Sequence, residues 1–302
     1  MPGTGNGSLW RVTAALAGAL SLAVIAVSLQ PGETENASDI PTLLPEQPAS
    51  PIPTEPTIEL PKIKWKLSFR DEFNGTGAPS SGRWNSATGN GINGYGHKAL
   101  QYYDPANVRM DGSGSLVITA RKARNGEKCW YGPCTYTSGR IDSAGKVTHT
   151  YGRLAARMKL PVGKGLWPAF WTQTTDKKKA RYSEIDILET IGSESNRVQG
   201  FAHTVKGRVG GGDLFLDHNL DEKFHVYGVD WTPERIVWWI DGRPYAELKR
   251  YPRWPFDDDT ELFFIFNLQV GGEWPGKPAA DTAFPARMYV DWIRTYHPVS
   301  GS

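Results

Sequence analysis

One stretch restricts the fold of this chain more than any other. In Ser183-Glu184-Ile185-Asp186-Ile187-Leu188-Glu189, three carboxylates are set into an apolar, β-branched run. Such a composition favours a strand, and residues i and i+2 of a strand share one face. Glu184 and Asp186 therefore point one way, and Glu189 points the other unless a residue is inserted. A β-bulge between Asp186 and Glu189 brings all three acids to one face. Glu184 and Glu189 then behave as positions four apart, roughly 13 Å between Cα atoms at about 3.3 Å per residue.

Two glutamate side chains leaning inward close much of that gap. What remains is near the ~5–5.5 Å between the carboxyls of a retaining glycosidase and below the ~6.5–9.5 Å that an inverting enzyme needs for its water. In that chemistry an ionised carboxylate attacks the anomeric carbon while a second, protonated near neutral pH, protonates the leaving oxygen. Glu184 is the candidate nucleophile and Glu189 the candidate acid/base. Asp186, flanked by both, would hydrogen-bond to the nucleophile and, as a nearby like charge, help keep one proton in the cluster. A metal site, or a charge cluster on a solvated sheet face, suits the same three acids.

From Lys62 onward, short apolar or alternating runs recur between Gly, Pro, Asn and Asp punctuation: 115–120, 152–160, 224–231, 236–240, 261–270 and 287–296. Asp241-Gly242 is a hairpin signal, and Thr232-Pro233-Glu234-Arg235 separates two further runs. No amphipathic helix and no internal repeat emerges. The pattern predicts an all-β, antiparallel β-sandwich. The segment Gly89-Asn90-Gly91-Ile92-Asn93-Gly94 fits G-x-G-x-x-G, but that fingerprint needs a strand before it and a helix opening within it. It is expected to be a loop at the rim of a cleft.

Val12 to Leu29 is almost entirely apolar and is preceded by Arg11, which makes residues 1–30 an export signal or an N-terminal membrane anchor. Residues 31–61 hold eight prolines, acids but no bases, and no aromatics, the composition of an extended, disordered linker. One base and six acids precede Lys62, so the remaining 33 bases and 26 acids give residues 62–302 a net charge of +7, against +2 for the whole chain. Dedicated nucleic-acid binding is not indicated. Cys129 and Cys134 are the two cysteines, spaced to close a small loop in an oxidising compartment, and without paired histidines they do not suggest zinc.

Twelve Trp and twelve Tyr are many for a plain scaffold and suggest ring stacking on a ligand. Trp167 and Trp171 lie just before the acid run and are suited either to stacking on sugar faces or to the core. His203 could hydrogen-bond a sugar or be structural. Adjacent Trp238 and Trp239 must diverge in a strand, so at most one serves a binding face. The basic run Lys177-Lys178-Lys179-Ala180-Arg181 is a solvated loop tip, or a device steering an anionic polysaccharide to the cleft mouth.

The chain resembles glycoside hydrolase family 16, in particular its laminarinase-like branch, from about Trp65 to Tyr296. The resemblance is carried by Asp71-Glu72-Phe73-Asn74-Gly75, Leu100-Gln101-Tyr102-Tyr103, Tyr136-Thr137-Ser138-Gly139-Arg140-Ile141, Tyr151-Gly152-Arg153, Ala156-Arg157-Met158-Lys159-Leu160-Pro161 and Trp167-Pro168-Ala169-Phe170-Trp171. After the acid run follow Phe224-His225-Val226-Tyr227, Trp239-Ile240-Asp241-Gly242, Asn267-Leu268, Gly271-Gly272, Trp274-Pro275-Gly276 and Val290-Asp291-Trp292. The resemblance implies a concanavalin A-like jelly roll with a concave glycan cleft and retaining hydrolysis of β-glycosidic bonds. By position it makes Glu184 the nucleophile, Asp186 the assisting acid and Glu189 the acid/base.

Trp167, Trp171 and His203 are joined as candidate substrate contacts by Arg140 and Tyr95, which lie in segments compared under this resemblance. It implies no required cofactor, but a structural calcium for which Glu72 and Asp291 are candidate ligands. The expected protein is a monomeric, secreted or membrane-tethered endo-β-1,3-glucanase with a polysaccharide as partner. A β-galactan or charged wall polysaccharide, transglycosylation, and a catalytically silent carbohydrate-binding sandwich are the alternatives. Departures concentrate near the cleft. Relatives often read Gly-Trp-Gly-Asn-Asn-Glu-Leu-Gln where this chain has Gly94-Tyr95-Gly96-His97-Lys98-Ala99-Leu100-Gln101, and Phe-Glu-Ala-Arg where it has Leu154-Ala155-Ala156-Arg157. A Gly-Trp-Pro segment before the nucleophile is replaced by the basic run.

Overall fold

The alternating runs become strands in the computed structural model, which describes residues 58–124, 126–175, 182–250, 256 and 260–299. Two sheets face each other. The outer sheet runs Arg243–Lys249, Arg235–Ile240, His225–Trp231, Gly152–Lys159, Ala286–Pro298, Leu116–Lys122, Val108–Asp111 and Thr76–Gly77, with Trp65–Asp71 also paired to Ala286–Pro298. The second sheet runs Gly207–Phe215, Arg197–Thr204, Ser183–Glu189, Leu166–Thr174, Leu262–Val270, Arg140–Asp142 and Asn85–Ser86. Along both of these orders neighbouring strands are antiparallel, as the short turns between runs require, while the short strands Gln101–Tyr103 and Tyr136–Ser138, attached to the outer sheet through Leu116–Lys122, pair in parallel. The Asp241-Gly242 turn has positive φ at both residues (50° and 79°), the backbone that a tight hairpin demands.

Alternation decides what enters the core. From Gly152–Lys159, Leu154, Ala156 and Met158 are fully buried, while Arg153 and Arg157 face outward. From Leu262–Val270, Phe264, Phe266 and Leu268 belong to the same core, and Phe266 stacks on Phe170 at 4.5 Å between ring centroids. Rings of this size dominate core energetics, at roughly 1.5–3 kcal/mol for each fully buried apolar side chain. Trp238 and Trp239 diverge as expected. Trp238 is fully buried between the sheets, and Trp239 lies on the outer face against Arg153, so neither lines the cleft.

The expected strand runs match the observed strands to within a residue or two. Expectation did not extend to Arg197–Thr204 and Gly207–Phe215, because glycines and polar residues interrupt their hydrophobic pattern. Among the described residues, the helical pieces are short turns at Gly94–Lys98 and Pro105–Asn107, and no helix is long and apolar enough to cross a membrane. The apolar run 12–29, the proline-rich segment 31–57 and the basic run 177–181 lie outside the described residues.

Candidate active site

The strand Ser183–Glu189 lies between Leu166–Thr174 and Arg197–Thr204, and its register slips on both sides. Opposite Arg197–Thr204 the slip falls between Asp186 and Glu189, and opposite Leu166–Thr174 the partners of Trp171 and Phe170 are Asp186 and Leu188. This is the β-bulge. It turns Ile185, Ile187 and Leu188 into the core, at 0–1% exposure, and leaves Glu184, Asp186 and Glu189 together on the cleft face. Trp238 supports the bulge from beneath, its Nε1 donating to the Asp186 carbonyl at 2.8 Å. Gly200 makes room for it, since a Cβ there would lie 2.2 Å from Trp238 Cδ1.

Register then places the neighbours. Glu184 sits beside Gln173 and His203, Asp186 beside Trp171 and Phe201, and Glu189 beside Ala169 and Gln199. On the next strand, Asn267 lies opposite Ala169 and Arg140, and Gln269 opposite Trp167. These side chains line a cleft of about 710 Å³ that also takes in Tyr95, His97, Tyr103, Tyr182, Arg208 and Trp274. All five expected substrate-contacting residues (Trp167, Trp171, Arg140, His203 and Tyr95) are in its wall.

The three acids differ in environment. Tyr182 donates its hydroxyl to Glu184 Oε2, and Trp167 Nε1 donates to Glu189 Oε1 at 3.0 Å. His203 Nε2 stands 3.1 Å from Asp186 Oδ2. Burial, reinforced by the charges of Asp186 and Glu184, pushes the Glu189 carboxyl well above the usual carboxylate range. Asp186 is also pushed well above it, first by burial and then by the Glu184 charge and hydrogen bond. Burial raises Glu184 as well, but Tyr182, His203, Asp186 and Arg140 pull it back. Of this coupled pair, Asp186 therefore keeps the proton and Glu184 carries the charge. His203 is shifted down by burial, which favours the neutral ring.

At 2% exposure Asp186 is not part of a solvated charge cluster. The ligand atoms of Glu184, Asp186 and His203 lie within 4.8 Å of one another, so distance alone admits a metal ion. The Tyr182 hydroxyl already serves Glu184, Asp186 Oδ2 has no hydrogen-bond partner among the described residues, and the burial that favours a neutral Asp186 carboxyl works against its binding a dication. The structural calcium does not fit its candidate ligands. Both carboxylate oxygens of Glu72 are taken by Arg294 at 2.8 and 2.9 Å, and Asp291 is paired with Arg157 at 2.6 Å. Calcium needs about six to eight oxygen ligands, and here guanidinium groups occupy the two on offer.

The rim is built from the glycine-rich loop. Gly94 has φ +61°, and a Cβ there would lie 2.3 Å from the Ala99 nitrogen, so the turn carrying Tyr95 and His97 needs glycine. Asn90, nearly buried, donates to the carbonyls of Ala99 and Gln101 at 3.2 and 2.6 Å and accepts from Trp130 N at 3.0 Å. Cys129 and Cys134 are joined in a disulfide that closes the loop bearing Trp130, whose indole also bonds Ala99 O at 3.0 Å. The disulfide loop thus braces the rim loop. Arg140 lies over both Tyr95 and Trp171, 5.5 and 5.0 Å from the ring centroids.

Several cleft residues escaped the sequence reading. Gln173, Asn267 and Gln269 are polar residues at alternate positions of otherwise apolar strands, the same signal that marked the acids, only uncharged. Tyr182 and Arg208 carried no such signal.

A bulged acid strand, a protonated carboxyl facing an ionised one and flanking indoles define a glycan-cleaving site. A profile of the glycosyl hydrolases family 16 matches residues 97–294, and the chain belongs to that family. It is 36% identical over 256 residues to a beta-glucanase of Rhodothermus marinus, covering 77% of this chain and 85% of that protein. It is 34% identical to the clotting factor G alpha subunit of Tachypleus tridentatus over 79% of this chain, but spans only 35% of that subunit's length. The X-ray structure of an endo-beta-1,3-glucanase from Pyrococcus furiosus superposes with a TM-score of 0.74 at 37% identity, over 81% of this chain and 98% of that one.

Proposed function

We propose that this chain is a retaining endo-β-glucanase that cleaves internal β-1,3 bonds, and mixed β-1,3/1,4 bonds, of a polysaccharide lying across the cleft. One observation carries the proposal: the bulge puts Glu184 and Glu189 on one face in environments that leave the first ionised and the second protonated. Relatives named as β-1,3-glucanases and β-1,3-1,4-glycanases support the substrate class.

In this reading a glucosyl ring packs against the indoles of Trp167 and Trp171 in the cleft wall. Glu184 attacks the anomeric carbon as Glu189 gives its proton to the leaving glycosidic oxygen, forming a glycosyl ester on Glu184. Glu189, now ionised, removes a proton from water, which attacks the same carbon from the opposite side and restores the β-configuration. Asp186 donates to Glu184 and limits the charge in the cluster. Residues 1–30 export or tether a monomeric domain, and residues 31–61 space it from the surface. The disulfide supports this placement because it needs oxidising surroundings.

The test is product release by the full chain on laminarin, mixed-linkage glucan, agarose and an anionic galactan, with the first product anomer followed by NMR. β-Anomeric oligosaccharides from laminarin are expected. An α-anomer would overturn retention, cleavage of the galactan alone would overturn the substrate, and binding without cleavage of any glycan would leave a carbohydrate-binding sandwich.

A further inference from the structure

A pair of histidines outside the cleft has a geometry that the glycan chemistry does not use. His225 opens the strand His225–Trp231, is 2% exposed, and has Nδ1 2.6 Å from Asp241 Oδ2. Asp241 is itself fixed, its Oδ1 accepting the Val226 N–H at 2.8 Å. His218, in the loop before that strand, has Nδ1 2.5 Å from Asp217 Oδ1. The two Nε2 atoms then face each other at 2.9 Å, with ring planes only 19° apart.

An ionised carboxylate only accepts, so each ring donates its Nδ1 proton outward. Asp241 is half exposed, with a side-chain exposure of 52%. Each neutral ring is left with its lone pair on Nε2. Two lone pairs meeting at 2.9 Å repel unless a cation joins them. Imidazoles whose outer nitrogen is held by a carboxylate have the arrangement found behind metal-bound histidines, where the carboxylate fixes the tautomer and raises ligand basicity. Two nitrogens each ~2.0–2.1 Å from one ion are ~3.3 Å apart at the tetrahedral angle and ~2.9 Å apart at about 90°, so the separation seen here suits a six-coordinate ion completed by water.

We propose that His218 and His225 form a two-histidine site for a divalent transition-metal ion of the zinc class, with water completing the coordination. Imidazole is a preferred ligand for such ions. The carboxylates of Asp217 and Asp241, bonded to the outer nitrogens, place acceptors behind both ligands of a dication. Access is through His218, whose side chain is 20% exposed. The bound ion would clamp the loop carrying His218 to the start of the outer-sheet strand.

The experiment is zinc titration of the chelator-treated full chain by calorimetry, with thermal melting in parallel. One zinc ion per chain is expected, bound on the order of 100-fold more weakly by His218→Gln and about tenfold more weakly by Asp217→Asn. Melting temperature should rise with zinc in the wild type and not in His218→Gln. Asp217 is exposed, so Asp217→Asn decides the matter if His218→Gln does not fold. No zinc uptake at neutral pH would mean that a shared proton joins the rings and would overturn the proposal. So would uptake unchanged by both variants but removed by His203→Ala, which would place the ion in the cleft.

Discussion

On the outer sheet, Asp230, Glu72, Asp291 and Glu247 each meet an arginine at 2.6–2.9 Å. On the cleft sheet, Glu184, Asp186 and Glu189 meet one another, a tyrosine, an indole and a histidine, and among the described residues they form no ion pair with lysine or arginine. The same residue type is thus driven in opposite directions. Arg294 holds Glu72 below the usual carboxylate range, while crowding and burial hold the cleft acids above it. Pairing makes an acid part of the scaffold. Withholding the partner keeps a proton available for chemistry, and the fold carries the cost of burying it.

Five substitutions would break or sharpen this contrast. The largest effect on turnover is expected from Glu184→Gln, which removes the attacking oxygen and should lower kcat on laminarin by on the order of 10⁴-fold or more with little loss of melting temperature. Retained activity would remove the nucleophile assignment. On the outer face the costs should invert. Asp230 is fully buried and held bidentate by Arg153 at 2.7 Å, so Arg153→Ala strands a charge and should cost roughly 3–5 kcal/mol in a denaturant titration. Turnover per folded molecule should barely change.

Asp186→Asn tests both sides of the contrast in one residue. The asparagine amide still donates to the nucleophile, as the protonated carboxyl does, so kcat should fall by about tenfold at most. Because the folded carboxyl titrates above its unfolded value, its contribution to stability is intact below the unfolded value and is lost as pH rises through the folded one. The amide cannot ionise, so the variant should melt higher than wild type at neutral pH and no higher at low pH. A lower melting temperature at neutral pH would refute the account of burial.

The smallest effects are shifts of the pH–rate profile. Activity requires Glu184 ionised and Glu189 protonated, so the first sets the acid limb and the second the alkaline limb. The Tyr182 hydroxyl lowers Glu184, and the Trp167 indole lowers Glu189. Tyr182→Phe should therefore move the acid limb up in pH and leave the other in place. Trp167→Phe should move the alkaline limb up. If either variant moved both limbs equally, the two carboxylates would not be separable as assigned.

Much of this was legible in the sequence, for identifiable reasons. Alternation in runs such as Gly152–Lys159 and Leu262–Val270 fixes which side faces the core, and carboxylates in Ser183–Glu189 are too costly to bury without a purpose. The bulge followed from asking how Glu189 could join Asp186 on one face. What escaped depends on neighbours that no local pattern specifies. Tyr182 reaches Glu184 only once the strand is placed, and Arg294 claims Glu72 from 222 positions away, which is why a calcium site looked plausible. The strand Gly207–Phe215 is nearly invisible to periodicity because three consecutive glycines, Gly210 to Gly212, present no side chains to alternate.

The Trp238 indole joins the outer layer to the backbone of Asp186, the acid that holds the cluster's proton. The position of the acid strand is therefore tied to a residue of the layer that never touches sugar. A change of that interior indole can consequently reach the catalytic backbone while leaving every residue that lines the cleft unchanged.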